Sequence, residues 1–221
     1  MDKCGVAWWK MDESSGNIID SKNGYIGTPY NLIYQGKEGI YFNGSNSYIQ
    51  FSDKIIPIGK KSIYLEVKKD SIPSESNVLL DTGNYSTLYG FTMFINSAGK
   101  IKINTCTGVS GNFNTVFSDL ISIKNVCDGK WHKVLFTWDG EIGIGNGKLY
   151  IDDFTIPDVV ANGLKKETNE YSFNLLIGKR SSNTKEYPFE GSLRNIQIYN
   201  EVIDPIPKYY FIQTNDNKIW T

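Results

Sequence analysis

The stretch from Asp128 to Asp153, DGKWHKVLFTWDGEIGIGNGKLYIDD, constrains the fold more than any other part of the chain. Trp131 to Trp138 is a run of β-branched and aromatic residues, the composition of a pleated strand. Asp139-Gly140 is a turn signal, and Gly143, Gly145 and Gly147 space the loop that follows. Lys148 to Ile151 returns as a second strand, so the segment is expected to be a β-hairpin. Asp128-Gly129 marks the turn leading in.

The same grammar runs through the rest of the chain. Val6–Met11, Ser62–Val67, Asn77–Asp81, Leu88–Ile95, Lys100–Thr105, Phe113–Phe117, Ser172–Gly178 and Gly191–Tyr199 all read as strands. Ser62–Val67 alternates and is expected to be half-buried. Gly39–Phe51 is a strand–turn–strand unit around Asn43-Gly44, and Ser97–Gly99 is a turn. No segment keeps helical spacing for ten residues except Val202–Ile212, which Pro205 and Pro207 interrupt. About ten strands with turn signals every 8–12 residues or so define an all-β, two-sheet antiparallel sandwich.

Four motifs in order resemble the laminin-G-like domains of the concanavalin A-like lectin/glucanase superfamily. They are the opening Trp9, Asp12, Glu13, Gly16, Asp20 and Gly27; the unit Gly39–Phe51; the hairpin above; and the closing Phe189–Asn200. The resemblance covers about residues 6 to 203 and implies a jelly-roll sandwich over residues 1–203. Residues 204–221 are left as an extension, an extra strand or a linker. The chain departs from the family at Asn43 and Ser47, where Asp is usual, at Asp153, where Gly is usual, and at Arg194, where related domains often offer a metal-binding Asp.

Chemistry is constrained by what the chain lacks. A laminarinase-like glucanase needs Glu-x-Asp-x-x-Glu on one strand, because alternate residues share a face; no Glu-x-Asp occurs. There is no G-x-S-x-G elbow. The sole histidine, His132, lies inside a strand and reads as a hydrogen-bonded structural group. Glu186 and Glu190 are what a hydrolase with an unfamiliar carboxylate pair would use. The expectation is a non-catalytic module.

Calcium takes six to eight oxygens, and only Asp12, Asp20 and Asn23 offer a loop site; turn chemistry is the competing reading. No cofactor is expected. The cysteines, Cys4, Cys106 and Cys127, form no C-x-x-C, and a Cys106–Cys127 bridge is open. Net charge is −1, from 23 basic and 24 acidic side chains, which favours neither nucleic acid nor an anionic surface. No signal peptide or membrane-spanning run is read. Asn43-Gly-Ser45 and Asn84-Tyr-Ser86 fit the N-glycosylation pattern.

Aromatics make up 14% of the chain, and most are expected in the core, Trp131 and Trp138 among them. Loop-borne Tyr85, Tyr89 and Tyr187 are candidate sugar platforms, with Asn84, Arg180 and Asn183 as hydrogen-bonding partners. Two functions follow: a module that binds a glycan or cell-surface ligand through loops or the concave sheet face, or a structural or adhesion part of a larger assembly such as a phage tail fibre or surface protein. Both place the chain outside the cell, at a cell surface or on a virion.

Overall fold

The computed structural model describes residues 5–83, 89–107, 117–164, 174–181 and 185–203. Among them are sixteen strands, one 3-10 turn at Gly36–Glu38 and no α-helix. In chain order the strands are β1 (Gly5–Trp9), β2 (Ile18–Ile19), β3 (Ile26–Tyr30), β4 (Ile33–Tyr34), β5 (Ile40–Asn43), β6 (Tyr48–Gln50), β7 (Lys61–Lys68) and β8 (Asn77–Asp81). There follow β9 (Tyr89–Ile95), β10 (Lys100–Thr107), β11 (Phe117–Asn125), β12 (Trp131–Trp138), β13 (Ile144–Ile151), β14 (Val159–Asn162), β15 (Leu176–Ile177) and β16 (Glu190–Tyr199).

They form two eight-stranded sheets. The first runs β14-β13-β12-β7-β16-β5-β4, with β1 beside the C-terminal half of β16. The second runs β11-β10-β9-β8-β15-β6-β3-β2. All pairings are antiparallel within each sheet, and the inner faces enclose one apolar core. Trp9 meets Phe51 at 4.8 Å between ring centroids, and Phe91 meets Phe136 at 5.8 Å; these contacts tie the sheets together.

The Asp128–Asp153 hairpin pairs as expected, with Phe136 opposite Leu149. The returning strand is longer than Lys148–Ile151. It starts at Ile144, so Gly145 and Gly147 belong to the strand. Gly145 takes φ 86° where the register of β13 against β14 slips, a conformation that suits glycine at a bulge.

Further expectations are refined. The strand–turn–strand unit Gly39–Phe51 holds, with β5 in the first sheet and β6 in the second, so the turn is a corner between sheets. Asn43 makes that corner, its Oδ1 accepting from the backbone N–H groups of Ser45, Asn46 and Ser47 at 2.9, 3.1 and 3.2 Å. β7 is buried on both faces except at Lys68, because Phe154 and Ile203 cover Tyr64 and the Arg194 side chain covers Glu66. Trp131 is not core: it is half-buried on the outer face, while Trp138 is fully buried inside. They stand seven residues apart, an odd spacing that puts them on opposite faces of one strand. The Cys127 thiol is free and lies 3.8 Å from the Gly99 carbonyl; the Cys106 side chain lies outside the described residues.

Candidate functional site

The loop between β15 and β16 is described at 178–181, where the Ser181 N–H meets Asp81 of β8 and Lys179 lies against Tyr48 of β6, and at 185–189, where the Tyr187 carbonyl accepts from Val78 of β8. Its ends are fixed by backbone bonds: Gly178 N–H donates to Leu79, Phe189 N–H to Gly178, and Val78 N–H to Tyr187. Gly178 has φ 90°, and a Cβ there would stand 2.5 Å from the Phe42 ring, so only glycine lets the loop depart over the core.

The loop brings together two residues expected at a site. The Arg180 guanidinium lies 5.7 Å from the Tyr187 ring centroid, and Lys185 approaches the same ring at 5.0 Å. Tyr187 holds φ 49°, a left-handed backbone uncommon for an aromatic residue. Lys179 pairs with Glu186 at 2.8 Å and Lys185 with Glu75 at 2.6 Å. Asn84, Tyr85, Asn183 and the Tyr89 side chain lie outside the described residues.

A residue not singled out in the sequence lies beneath this loop. Asp81, at the end of β8, is fully buried although it is on the outer face of the sheet. Its carboxylate accepts from Thr92 Oγ1 at 2.7 Å and from the Ser181 backbone N–H at 2.8 Å, so it pins the loop to the sheet. Strand register places Asp81, Thr92, Asn104 and Asp119 in one row across four strands. Asn104 Oδ1 is enclosed and has no hydrogen-bond partner among the described residues. The available signal was a lone carboxylate closing an apolar strand, NVLLD.

Of the calcium candidates, Asp20 and Asn23 are engaged in turn chemistry, and Asp12 is exposed. Asp20 accepts from the backbone N–H groups of Trp8 (2.6 Å), Lys22 (3.0 Å) and Asn23 (2.6 Å), and Asn23 Nδ2 donates to the Val6 carbonyl. Among the described residues no group of three or more His, Cys, Asp and Glu is placed to hold a metal ion. Of the hydrolase candidates, Glu186 pairs with Lys179 and Glu190 with Lys69 at 3.5 Å.

Arg194 has a different task from the metal-binding Asp that the resemblance implies there. Its Nε donates to Glu66 at 2.7 Å, and its guanidinium lies 4.1 Å from the Trp131 ring centroid. Burial raises the Glu66 carboxyl, but hydrogen bonds from Arg194, Tyr64 and Asn195 outweigh it and hold the group below its ordinary value. Tyr64 is pushed up by burial and by the Glu66 charge. Asn195, at φ 51° in a bulge of β16, extends the network to the Trp8 indole N–H at 2.8 Å.

His132 is clipped at both ring nitrogens, by Asp152 at 3.0 Å and Asp128 at 2.9 Å. Burial lowers its pKa, but the two carboxylates outweigh this and raise it, so the imidazolium is favoured. Asp128 is held down mainly by its hydrogen bond to His132. The clip ties the start of β12 to the end of β13.

Two antiparallel sheets packed face to face around one apolar core place the chain in the class of β-sandwich domains. The chain belongs to the concanavalin A-like lectin/glucanases superfamily, whose family model matches residues 43–205. Among curated proteins it is similar to an uncharacterized protein of Clostridium acetobutylicum, 24% identical over 196 residues. The match takes in 83% of this chain but 46% of that protein, so the chain spans about half the length of the curated relative. Domain 4 of AbnA, a GH43 extracellular arabinanase of Geobacillus stearothermophilus in complex with arabinotriose, has the same fold, with TM-score 0.68 at 17% identity, covering 91% of this chain and 95% of that one. So does the botulinum neurotoxin serotype D binding domain, with TM-score 0.61 at 14% identity, covering 91% and 49%. The binding domain of botulinum neurotoxin DC in complex with rat synaptotagmin II gives TM-score 0.62 at 12% identity, with 91% and 49% covered. No helix among the described residues is long and apolar enough to cross a membrane.

Proposed function

We propose that the chain is a non-catalytic binding module that takes a carbohydrate on the outer face of its second sheet, under and beside the Gly178–Phe189 loop. The observation that carries this reading is the Arg180 guanidinium against the Tyr187 ring, with the adjacent Ser181 N–H held to the sheet by the buried Asp81 carboxylate. A ring, a cation and a row of hydroxyl and amide groups suit a sugar, whose ring has an apolar face and whose rim carries hydroxyls. The arabinotriose complex of a domain with this fold supports the same reading.

The module works outside the cell, at a cell surface or on a virion, with residues 204–221 as an extension from the sandwich. A second reading is a structural or adhesion part of a larger assembly.

A glycan array probed with the purified chain, in calcium and again in chelator, tests the first reading. The expected result is selective binding that chelation leaves intact. A blank array in both conditions contradicts it and favours the assembly reading, and loss under chelation contradicts the metal-free site.

A further inference from the structure

We infer that a strip beside the Gly178–Phe189 loop, carried by β3 and β6, is a stacking subsite for an uncharged, extended oligosaccharide; this rests on the reading of the module as a glycan binder.

Tyr30 and Tyr48 stand directly opposite each other on β3 and β6. Their rings are stacked, with centroids 4.2 Å apart and planes 7° apart. The Lys179 ammonium lies 3.9 Å from the Tyr48 centroid. A ring and an ammonium this close to one centroid must occupy its two faces, so Tyr48 is sandwiched. The stack ends at Tyr30, which is 37% exposed. Tyr187, in contrast, already has two cations against it. Tyr30 is therefore the better-placed platform for the apolar face of a sugar.

Polar groups flank the platform at strand spacing. Thr28 and Gln50 lie two residues before and after the tyrosines, opposite each other and on the same outer face. Both are exposed, and neither side chain has a hydrogen bond among the described residues. A hydroxyl and an amide each donate and accept, as a sugar's hydroxyls require. Ile26, 52% exposed, continues the strip along β3. Side chains along one strand face repeat at about 7 Å and neighbouring strands at about 4.8 Å, so the strip is longer than one sugar ring, and an extended chain fills it.

The charges set the ligand class. Lys179 is neutralised by Glu186 and Lys185 by Glu75. With Lys179 and Lys185 paired within the protein, the strip beside them offers stacking and hydrogen bonding in preference to a counter-ion for an acidic sugar.

Calorimetric titration with uncharged hexaoses (arabinan, xylan, cellulose and laminarin fragments) and with two acidic glycans, sialyllactose and an oligogalacturonate, tests the inference. At least one uncharged hexaose is expected to bind, with affinity the same within about twofold between low and high salt. Tyr30→Ala is expected to weaken it about tenfold, as the loss of a stacking contact does, and Gln50→Ala several-fold. Arg180→Ala reports on the broader site. Binding of acidic glycans alone, or neutral binding untouched by Tyr30→Ala and Gln50→Ala but lost in Arg180→Ala, overturns the inference and leaves the glycan reading standing. Failure of every glycan to bind overturns both.

Discussion

Replacing Arg194 with Ala is expected to lower the stability of the fold by about 2–4 kcal/mol, because it strands a buried carboxylate. Glu66 is 8% exposed and is held by three donors: Arg194 Nε at 2.7 Å, Tyr64 Oη at 2.7 Å and Asn195 Nδ2 at 3.1 Å. Arg194 supplies the only formal positive charge among those three. Its own side chain is 29% exposed, so water screens part of the pair, and the expected loss lies below that of a wholly enclosed pair. The guanidinium also packs on Trp131, so some of the loss is packing. Removing both charges together, as Glu66→Met with Arg194→Met, is expected to cost less than Arg194→Ala alone, since no orphan remains. Urea unfolding of the three proteins measures this. A loss under about 0.5 kcal/mol for Arg194→Ala shows that Glu66 does not depend on it.

The second expectation concerns pH. His132 has its pKa raised in the folded chain, so the stability it contributes is fully present below the unfolded value of about 6.5 and is lost as pH rises through the raised folded value. Asp128 is depressed, so its share has the opposite limit: present above the ordinary carboxylate range, and lost as pH falls through the depressed value. The clip therefore works in the window between the two. In His132→Gln, which keeps hydrogen-bonding atoms but cannot take a charge, the deficit relative to the parent is expected to be about 1–2 kcal/mol near pH 6 and to shrink by about pH 9. Thermal unfolding of both proteins across that range is the check. A deficit independent of pH contradicts a charged clip.

Much of the sandwich was legible because strand periodicity is a local property. The β12–β13 hairpin, β8 and the turn between β9 and β10 follow from alternation and turn residues alone. The β5–β6 corner was not legible: Asn43-Gly44 suits a hairpin and a corner equally, and only long-range pairing decides between them. β11 was missed because FSDLISIKN lacks a turn signal at its start and leaves Ile121 and Ile123 on the surface. Burial of β7 on both faces depends on Phe154, Arg194 and Ile203, far off in the chain.

The site divides in the same way. Arg180 and Tyr187 could be chosen as loop residues with suitable chemistry, and the structure adds that they meet. Asp81 stood out only as a lone carboxylate closing an apolar strand, and its role was not legible because it depends on the Ser181 N–H, 100 residues away in the chain. Tyr30 was hidden by Pro29, which argues against a strand, although β3 tolerates it there.

The central claim is that a carbohydrate sits on the outer face of the second sheet. The most direct measurement is an amide NMR titration of the chain with an uncharged hexaose that binds. The account predicts shifts at Thr28, Gln50, Lys179 and Ser181, with Glu66, Trp131 and Arg194 on the opposite sheet unmoved. Shifts gathered around Trp131 and Arg194 contradict it, and place the ligand on the first sheet.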